Sequence, residues 1–288
     1  MKLSDLYIYP VKSGRPISLT HSDILPVGLV HDRFWVVVET PHPGSAEPVN
    51  RFISQRTHPD LARLIAIPDG QKLNLSLDGS DYCLDLKSST VNERVSVWHD
   101  SFIATLYEDP VNAWLSDRLG GNFKLASLSG TKRTRQKTEH LQRDFDVSFA
   151  DGYPVLIATR ASLEALNAYV VKQGEKALPM ARFRPNLVIE GASPWQEDSW
   201  KRIKIGEVEF ICVKPCTRCI MTTLDPLSGQ SQGDMSLRAL THLRRSADKR
   251  LKGVLFGTNA IPLGTGRLDM GDNVQVLETQ TAWPVHKA

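Results

Sequence analysis

The first 107 residues hold six short apolar runs with no helical run between them, and this spacing most constrains the fold. Leu3-Ser4-Asp5-Leu6-Tyr7-Ile8-Tyr9 opens the series and Phe34 to Val38 is a continuous run of buried-strand length. Ala62 to Ile67, Leu73 to Leu77, Val91 to Val97 and Phe102 to Tyr107 follow. Gly, Pro, Asn and Asp punctuate them, as turn formers bounding strands do. Successive parallel strands need a crossover of a dozen or more residues, usually helical. Without such helices the pattern predicts a mostly antiparallel barrel or sandwich.

Beyond residue 107 the pattern mixes. Asp109 to Leu119 predicts a helix, with Pro110 in its first turn and Gly120-Gly121 as its stop. Ser127 to Asp146 is polar and basic and predicts a linker or long surface loop. Leu163, Leu166, Tyr169 and Val170 share one face of a helix over about 162–172. Strands return at Asn186 to Glu190, Lys201 to Ile205, Val208 to Val213 and Asn273 to Glu278, with a hairpin turn at Ile205-Gly206-Glu207-Val208;. Segment 237–251 predicts a basic helix, and there is no internal repeat. The expectation is a mainly β chain with α (α+β). It has an N-terminal β-barrel or sandwich domain over 1–120, a second β-barrel domain with a few peripheral helices over 121–280, and a tail at 281–288.

Composition removes several classes. At 288 residues, 41% hydrophobic, with 19 Gly and 17 Pro, the chain is neither disordered nor collagen-like;. No uncharged apolar run reaches the roughly 18 residues of a membrane helix, so no membrane is expected. Met1 to Asp5 leads into no apolar signal core, and three of the four cysteines (Cys83, Cys212, Cys216, Cys219) fall within eight residues. That crowding points to a metal or redox role in a reducing compartment, so a cytoplasmic location is expected. The net charge of +3 hides two basic segments. Lys132, Arg133, Arg135, Lys137 and Arg143 stand against Glu139; Arg238, Arg244, Arg245, Lys249, Arg250 and Lys252 stand against Asp248. On a mildly acidic remainder they predict an anion site or an acidic partner. Nucleic acid is not the expected partner, because the aromatic interleaving that stacks bases is missing.

Val213-Lys214-Pro215-Cys216-Thr217-Arg218-Cys219-Ile220-Met221-Thr222-Thr223-Leu224-Asp225-Pro226 is the richest segment. It reads as a strand entering a proline turn, with two cysteines flanking Thr and Arg. A thiolate beside arginine is a better metal ligand or nucleophile. Structural zinc would need a fourth ligand beside Cys212, Cys216 and Cys219, and the usual paired spacing is absent. A thioredoxin-type pair should open a helix, and this pair sits among strands. Inert buried cysteines remain the plain alternative, above all for Cys212. Elsewhere Lys12-Ser13-Gly14 lies on a turn after the first strand, and Arg33 and Arg184 each precede a strand. Cations at strand mouths can hold a phosphate or similar dianion.

Val11-Lys12-Ser13, Asp32-Arg33-Phe34-Trp35, Phe183-Arg184-Pro185-Asn186, and Cys216 to Cys219 with Thr222-Thr223 and Asp225-Pro226 occur in that order. They resemble the MOSC family, named for the molybdenum-cofactor sulfurase C-terminal domain. Within it the chain is most similar to the branch of the mitochondrial amidoxime-reducing component and its bacterial relatives. The likeness runs from about Leu3 to Glu278 and is most specific over Cys216 to Asp225. It implies an oxidoreductase that binds the molybdenum cofactor (molybdopterin, Mo) and reduces N-hydroxylated compounds. Carried over, Cys219 is the catalytic molybdenum ligand. Lys12, Ser13, Arg33, Arg184, Asn186, Thr217 and Arg218 hold the pterin and its phosphate. Gly152 and Tyr153 stand on a cofactor-contacting loop within Phe149-Ala150-Asp151-Gly152-Tyr153-Pro154.

Some bacterial relatives end in a ferredoxin-like domain with four clustered cysteines. This chain has no cysteine after Cys219, so electrons are expected from a separate ferredoxin or reductase, docked on the basic segments. Ser193 stands where animal relatives carry an acidic residue near the metal, which leaves the proton donor open. Thr40 to Pro48 reads as an idiosyncratic loop with His42 exposed. The alternative function is a sulfur carrier or cofactor-binding module that uses a Cys219 persulfide.

Overall fold

Lys2–Ile8 is a strand that turns Leu3, Leu6 and Ile8 inward, although the spacing from Leu3 to Leu6 is odd. Strict alternation would send one of them to the opposite face; a register shift between Leu3 and Asp5 absorbs the extra residue;. The computed structural model describes every residue except 42–43, 45–48, 129–132, 138–140 and 287–288, so His42, Lys132 and Glu139 lie outside the described residues.

That first strand joins an eight-stranded sheet. Its order is Ile17–Leu19, Lys2–Ile8, Leu187–Glu190, Val155–Thr159, Val254–Pro262, Val208–Arg218, Trp200–Ile205 and Val274–Thr279. Strands from the start of the chain are thus built into a sheet made otherwise of residues from 155 onward. Leu3, Leu6, Ile157, Trp200, Ile203 and Phe210 fill its core.

Thr90–Val97, Asp100–Tyr107, Phe123–Ser127, Trp35–Glu39 and Asn50–Phe52 close into a barrel. Val36 and Val38 pack with Val95, Val97, Leu106 and Phe149 on one face. Trp35 and Val37 pack with Leu61, Leu73, Leu75 and Leu125 on the other. Burial on both faces is why this strand reads as a continuous apolar run and not as an alternation.

Helix Arg160–Lys172 starts where the Thr159 hydroxyl accepts from Ser162 N at 3.1 Å, an N-cap;. It buries Leu166 and Val170 in a cluster shared with Ala239 and Leu240 of helix Met235–Arg244 and with Phe183 and Phe256. Helix Val111–Leu119 stops at Gly120, whose φ of +71° suits glycine;. The architecture is mainly β with three α-helices among the described residues, none of them long and apolar enough to cross a membrane.

Four local expectations are corrected. Over Ala62 to Ile67 the strand begins only at Ile65, because Pro59–Arg63 forms a 3-10 turn. Ser127 to Asp146 is not a plain linker: Arg133–Arg135 pairs with Phe145–Val147, and Leu141, Phe145 and Val147 pack on Val213 and Ile261. Arg133 is buried against Asp100, so it offers no docking charge. The basic helix stops at Arg244, since Arg245 bridges to Val254 and Ser246 to Val285. Arg244 too is buried, paired with Asp198. Finally, Pro215 does not turn the chain; the strand Val208–Arg218 runs through it.

Candidate active site

The strand carries Pro215 because its ladder with Val254–Pro262 shifts register twice, between Cys212 and Lys214 and between Pro215 and Thr217. A central strand accommodates proline at such irregularities. Cys212, before them, is buried in the core, and burial pushes its thiol up to about 12, the reading of an inert cysteine. Cys216 is half-buried and Cys219 is exposed. Past the strand, Ile220–Thr223 winds into one 3-10 turn. There the buried Thr222 and Thr223 hydroxyls donate back to Cys219 O and Ile220 O at 3.0 and 2.7 Å. Asp225 closes the segment by accepting from the backbone N–H of Leu227 and Ser228 at 3.0 and 2.8 Å. Burial pushes the Asp225 carboxyl up, and these hydrogen bonds more than offset it. Thr222 thus anchors the Cys219 carbonyl through both its hydroxyl and its backbone N–H, while Thr223 and Asp225 brace the turns that follow.

The cations arrive from other strand mouths. Arg33 and Arg184 sit at φ of +53° and +52°, a left-handed conformation that costs a non-glycine residue on the order of 1 kcal/mol or more;. Their guanidinium groups flank the Tyr9 ring at 4.4 and 4.1 Å from its centroid. Tyr9 is fully buried and donates to Pro185 O at 3.0 Å; burial pushes its hydroxyl above the usual range. Arg33 pairs with Asp32 and donates to Asn186 Oδ1 at 3.0 Å. Asn186 also accepts from Leu156 N at 3.1 Å and donates to Tyr7 O at 3.2 Å, which welds two strands to the arginine. Arg184 donates to Gly14 O at 3.0 Å, and burial lowers its pKa to about 10. Lys12 donates to Phe149 O at 2.9 Å and pairs with Asp151; burial pushes it below the usual lysine range despite that pair. Arg218 donates to Cys216 Sγ at 2.9 Å and to Phe183 O at 2.7 Å.

One cavity is lined by all ten residues singled out in the sequence: Lys12, Ser13, Arg33, Gly152, Tyr153, Arg184, Asn186, Thr217, Arg218 and Cys219. Ser193 is not among its lining; it is exposed on a turn where its N–H donates to Gln196 Oε1 at 2.8 Å. Sequence reasoning missed Phe52, Ser54, Arg56 and Trp98, which reach the cavity from the first half of the chain. Arg56 carries the same signature as Lys12, a cation on a turn just past a strand.

The lining fits an anion. Lys12 and Arg33 are paired with acids, whereas Arg184 donates to the Gly14 carbonyl and Arg218 to the Phe183 carbonyl and Cys216 Sγ, with no acid paired to either among the described residues. Arg218 Nε is buried with no hydrogen-bond partner among the described residues, a donor left waiting at the cavity wall;. A Cβ on Gly152 would meet no atom within 4 Å, so this stretch of lining faces open space. No three His, Cys, Asp or Glu side chains cluster as a metal site among the described residues, so a metal here would rely on cysteine sulfur and its own cofactor.

A β-barrel joined to a β-rich sheet, with a cysteine at the rim of a cationic cavity, matches one family along nearly the whole chain. Residues 1–122 match the MOSC N-terminal beta barrel domain and residues 144–275 the MOSC domain, and the chain belongs to the MOSC family. It is 30% identical over 292 residues to mitochondrial amidoxime reducing component 2 of Homo sapiens, covering 94% of this chain and 82% of that protein. It is also 30% identical over 292 residues to molybdenum cofactor sulfurase of Oryza sativa subsp. japonica, covering 95% of this chain and 34% of that longer protein. Among solved structures, the YuaD protein from Bacillus subtilis is similar at a TM-score of 0.39 and 11% identity, over 95% of this chain and 93% of that one.

Proposed function

We propose that this chain is a molybdenum-cofactor-binding oxidoreductase that reduces N-hydroxylated compounds with electrons from a separate ferredoxin or reductase. The observation that carries the reading is the cavity itself. Five cations line it, one with an orphaned buried donor, and a cysteine stands at its rim. The relative named an amidoxime reducing component supports the reaction type.

In this reading Lys12, Arg33, Arg184 and Arg218 would hold the cofactor's phosphate through charge-assisted hydrogen bonds. Ser13, Asn186, Thr217, Gly152 and Tyr153 would line the pterin, and Cys219 would ligate molybdenum, for which a soft thiolate is suited. When bound, the cofactor supplies the two-electron redox chemistry that side chains lack. In the net reaction the N–O bond breaks, two electrons and two protons enter, and the reduced nitrogen compound and water leave. The chain's own contribution is binding and orientation. Thr222 anchors the Cys219 backbone, and the Tyr9 ring holds Arg33 and Arg184 against it before any anion arrives.

The test is to purify the protein from a host that makes the cofactor and to measure molybdenum by elemental analysis and pterin by fluorescence after oxidation. Stoichiometric metal and pterin are expected; a folded protein carrying neither refutes the reading. The relative named molybdenum cofactor sulfurase favours a second reading, sulfur delivery from a Cys219 persulfide. A persulfide on Cys219 by mass spectrometry, without molybdenum, would decide for it.

A further inference from the structure

Arg56 has none of the roles above, yet its Nη2 donates to Cys219 Sγ at 3.0 Å from 163 residues away in the chain. It belongs to the turn that follows the barrel strand Asn50–Phe52. An exposed arginine ordinarily samples many rotamers; this one lies over the Trp98 ring at 4.7 Å from the centroid, a cation–π contact;. Trp98 is itself held, although 43% exposed. Its Nε1 donates to Asp151 Oδ1 at 2.8 Å, and Phe52 meets it edge-on at 4.8 Å. Asp151 in turn pairs with Lys12. A strap of contacts thus runs from Cys219 through Arg56, Trp98 and Asp151 to Lys12, all five residues lining the one cavity.

We infer that Arg56 is the specificity-determining residue at the open side of Cys219, a fixed positive charge that holds the sulfur and admits anionic or oxygen-acceptor molecules in preference to cations. A guanidinium carries five N–H donors in a rigid fork. With Nη2 on the sulfur, the fork has donors to offer an acceptor oxygen arriving beside it. That the acceptor is an N–O oxygen rests on the function proposed above; the charge beside the sulfur does not.

The charge can be read in the full chain purified from a host that makes no cofactor, by comparing alkylation of Cys219 with iodoacetate and with iodoacetamide. Both reagents are attacked by the same thiolate with loss of iodide. The ratio of their rates therefore cancels the ionised fraction and reports the field an anion meets. Trypsin cleavage after Arg218 places Cys219 on a peptide apart from Cys212 and Cys216, and exposed Cys83 serves as reference. Arg56→Ala is expected to lower the iodoacetate-to-iodoacetamide ratio at Cys219 about fivefold at low salt, the effect of one unit charge ~4 Å away in water. Arg56→Lys should restore most of the ratio. Trp98→Leu, which removes the stacking face, should fall between, and the ratio at Cys83 should not move. An unchanged Cys219 ratio in Arg56→Ala overturns the inference. In metal-loaded protein, Arg56→Ala should raise KM more for N-hydroxylated substrates bearing a carboxylate than for those bearing an amine; an equal rise for both counts against it. If the wild-type protein carries no molybdenum, the proposed activity fails while the alkylation ratio still decides the role of Arg56.

Discussion

Replacing Arg133 distinguishes a structural charge from a docking charge. Its side chain is 3% exposed, and it donates to Ser148 O at 3.1 Å, to Ala150 O at 2.6 Å and through Nε to Asp100 at 3.2 Å. Arg133→Ala removes every one of these donors. Breaking a buried pair by losing one partner costs about 3–5 kcal/mol, and each carbonyl left unsatisfied adds about 1–3. Asp100, however, is one-third exposed and keeps Arg135, so water and that arginine recover part of the loss. About 3 kcal/mol is the resulting expectation. Arg135 shares the same carboxylate but is 35% exposed, and Arg135→Ala should cost under about 1 kcal/mol;. Denaturant unfolding followed by far-UV circular dichroism and tryptophan fluorescence measures both. Because Ala150 leads directly into Asp151, Gly152 and Tyr153, the Arg133 variant should also lose bound cofactor. Equal, small stability losses in the two variants would refute the structural assignment. A loss confined to salt-sensitive turnover with a protein donor would return Arg133 to the docking surface.

Cys219→Ser should abolish cofactor-dependent reduction with the unfolding midpoint unchanged, since a hydroxyl is a poor substitute for a thiolate ligand. Cys216→Ser should be milder, because a serine oxygen can still accept from Arg218; equal losses in turnover would make the two cysteines a redox couple. Glu197 is buried with Oε1 unpartnered among the described residues, and burial, then the Asp198 charge, raises its pKa from 4.5 to about 7. A raised folded-state pKa means stability that is present below pH ~4.5 and lost as pH rises through about 7, here ~3 kcal/mol. Glu197→Gln should flatten that part of the stability–pH curve, and parallel curves for variant and wild type would sink the assignment. At Gly229, φ is +73° and a Cβ would stand 2.0 Å from Pro59 O, so Gly229→Ala must lift the turn off Pro59–Arg63. At Gly70, φ is +56° and a Cβ meets nothing within 4 Å. Gly70→Ala should therefore cost only the left-handed backbone, ~1 kcal/mol, and Gly229→Ala clearly more by the same denaturation assay.

What the sequence made legible follows from how local each signal is. Alternation, turn residues and helix stops are neighbours along the chain, so three of the five barrel strands, the helix over about 162–172 and the hairpin at Gly206 could be read directly, whereas the short strands Asn50–Phe52 and Phe123–Ser127 gave no apolar run and were missed. Cations at strand mouths were legible for the same reason, and Lys12, Arg33, Arg184 and Arg218 do meet around one cavity. Partnership is not local. Arg133 and Arg244 look in sequence like members of solvated basic segments. Their acids, Asp100 and Asp198, lie 33 and 46 residues away and take both charges into the interior. Arg56 fails in the opposite sense: nothing in Ser54-Gln55-Arg56-Thr57 announces that Cys219, 163 residues on, will lie against it. Pro215 looked like a break because only the partner strand, by slipping register twice, makes room for it. A charge at a turn therefore identifies a candidate. Whether it binds a ligand or holds the fold depends on whether folding brings an acid within reach, and that is decided by pairings the linear sequence does not display.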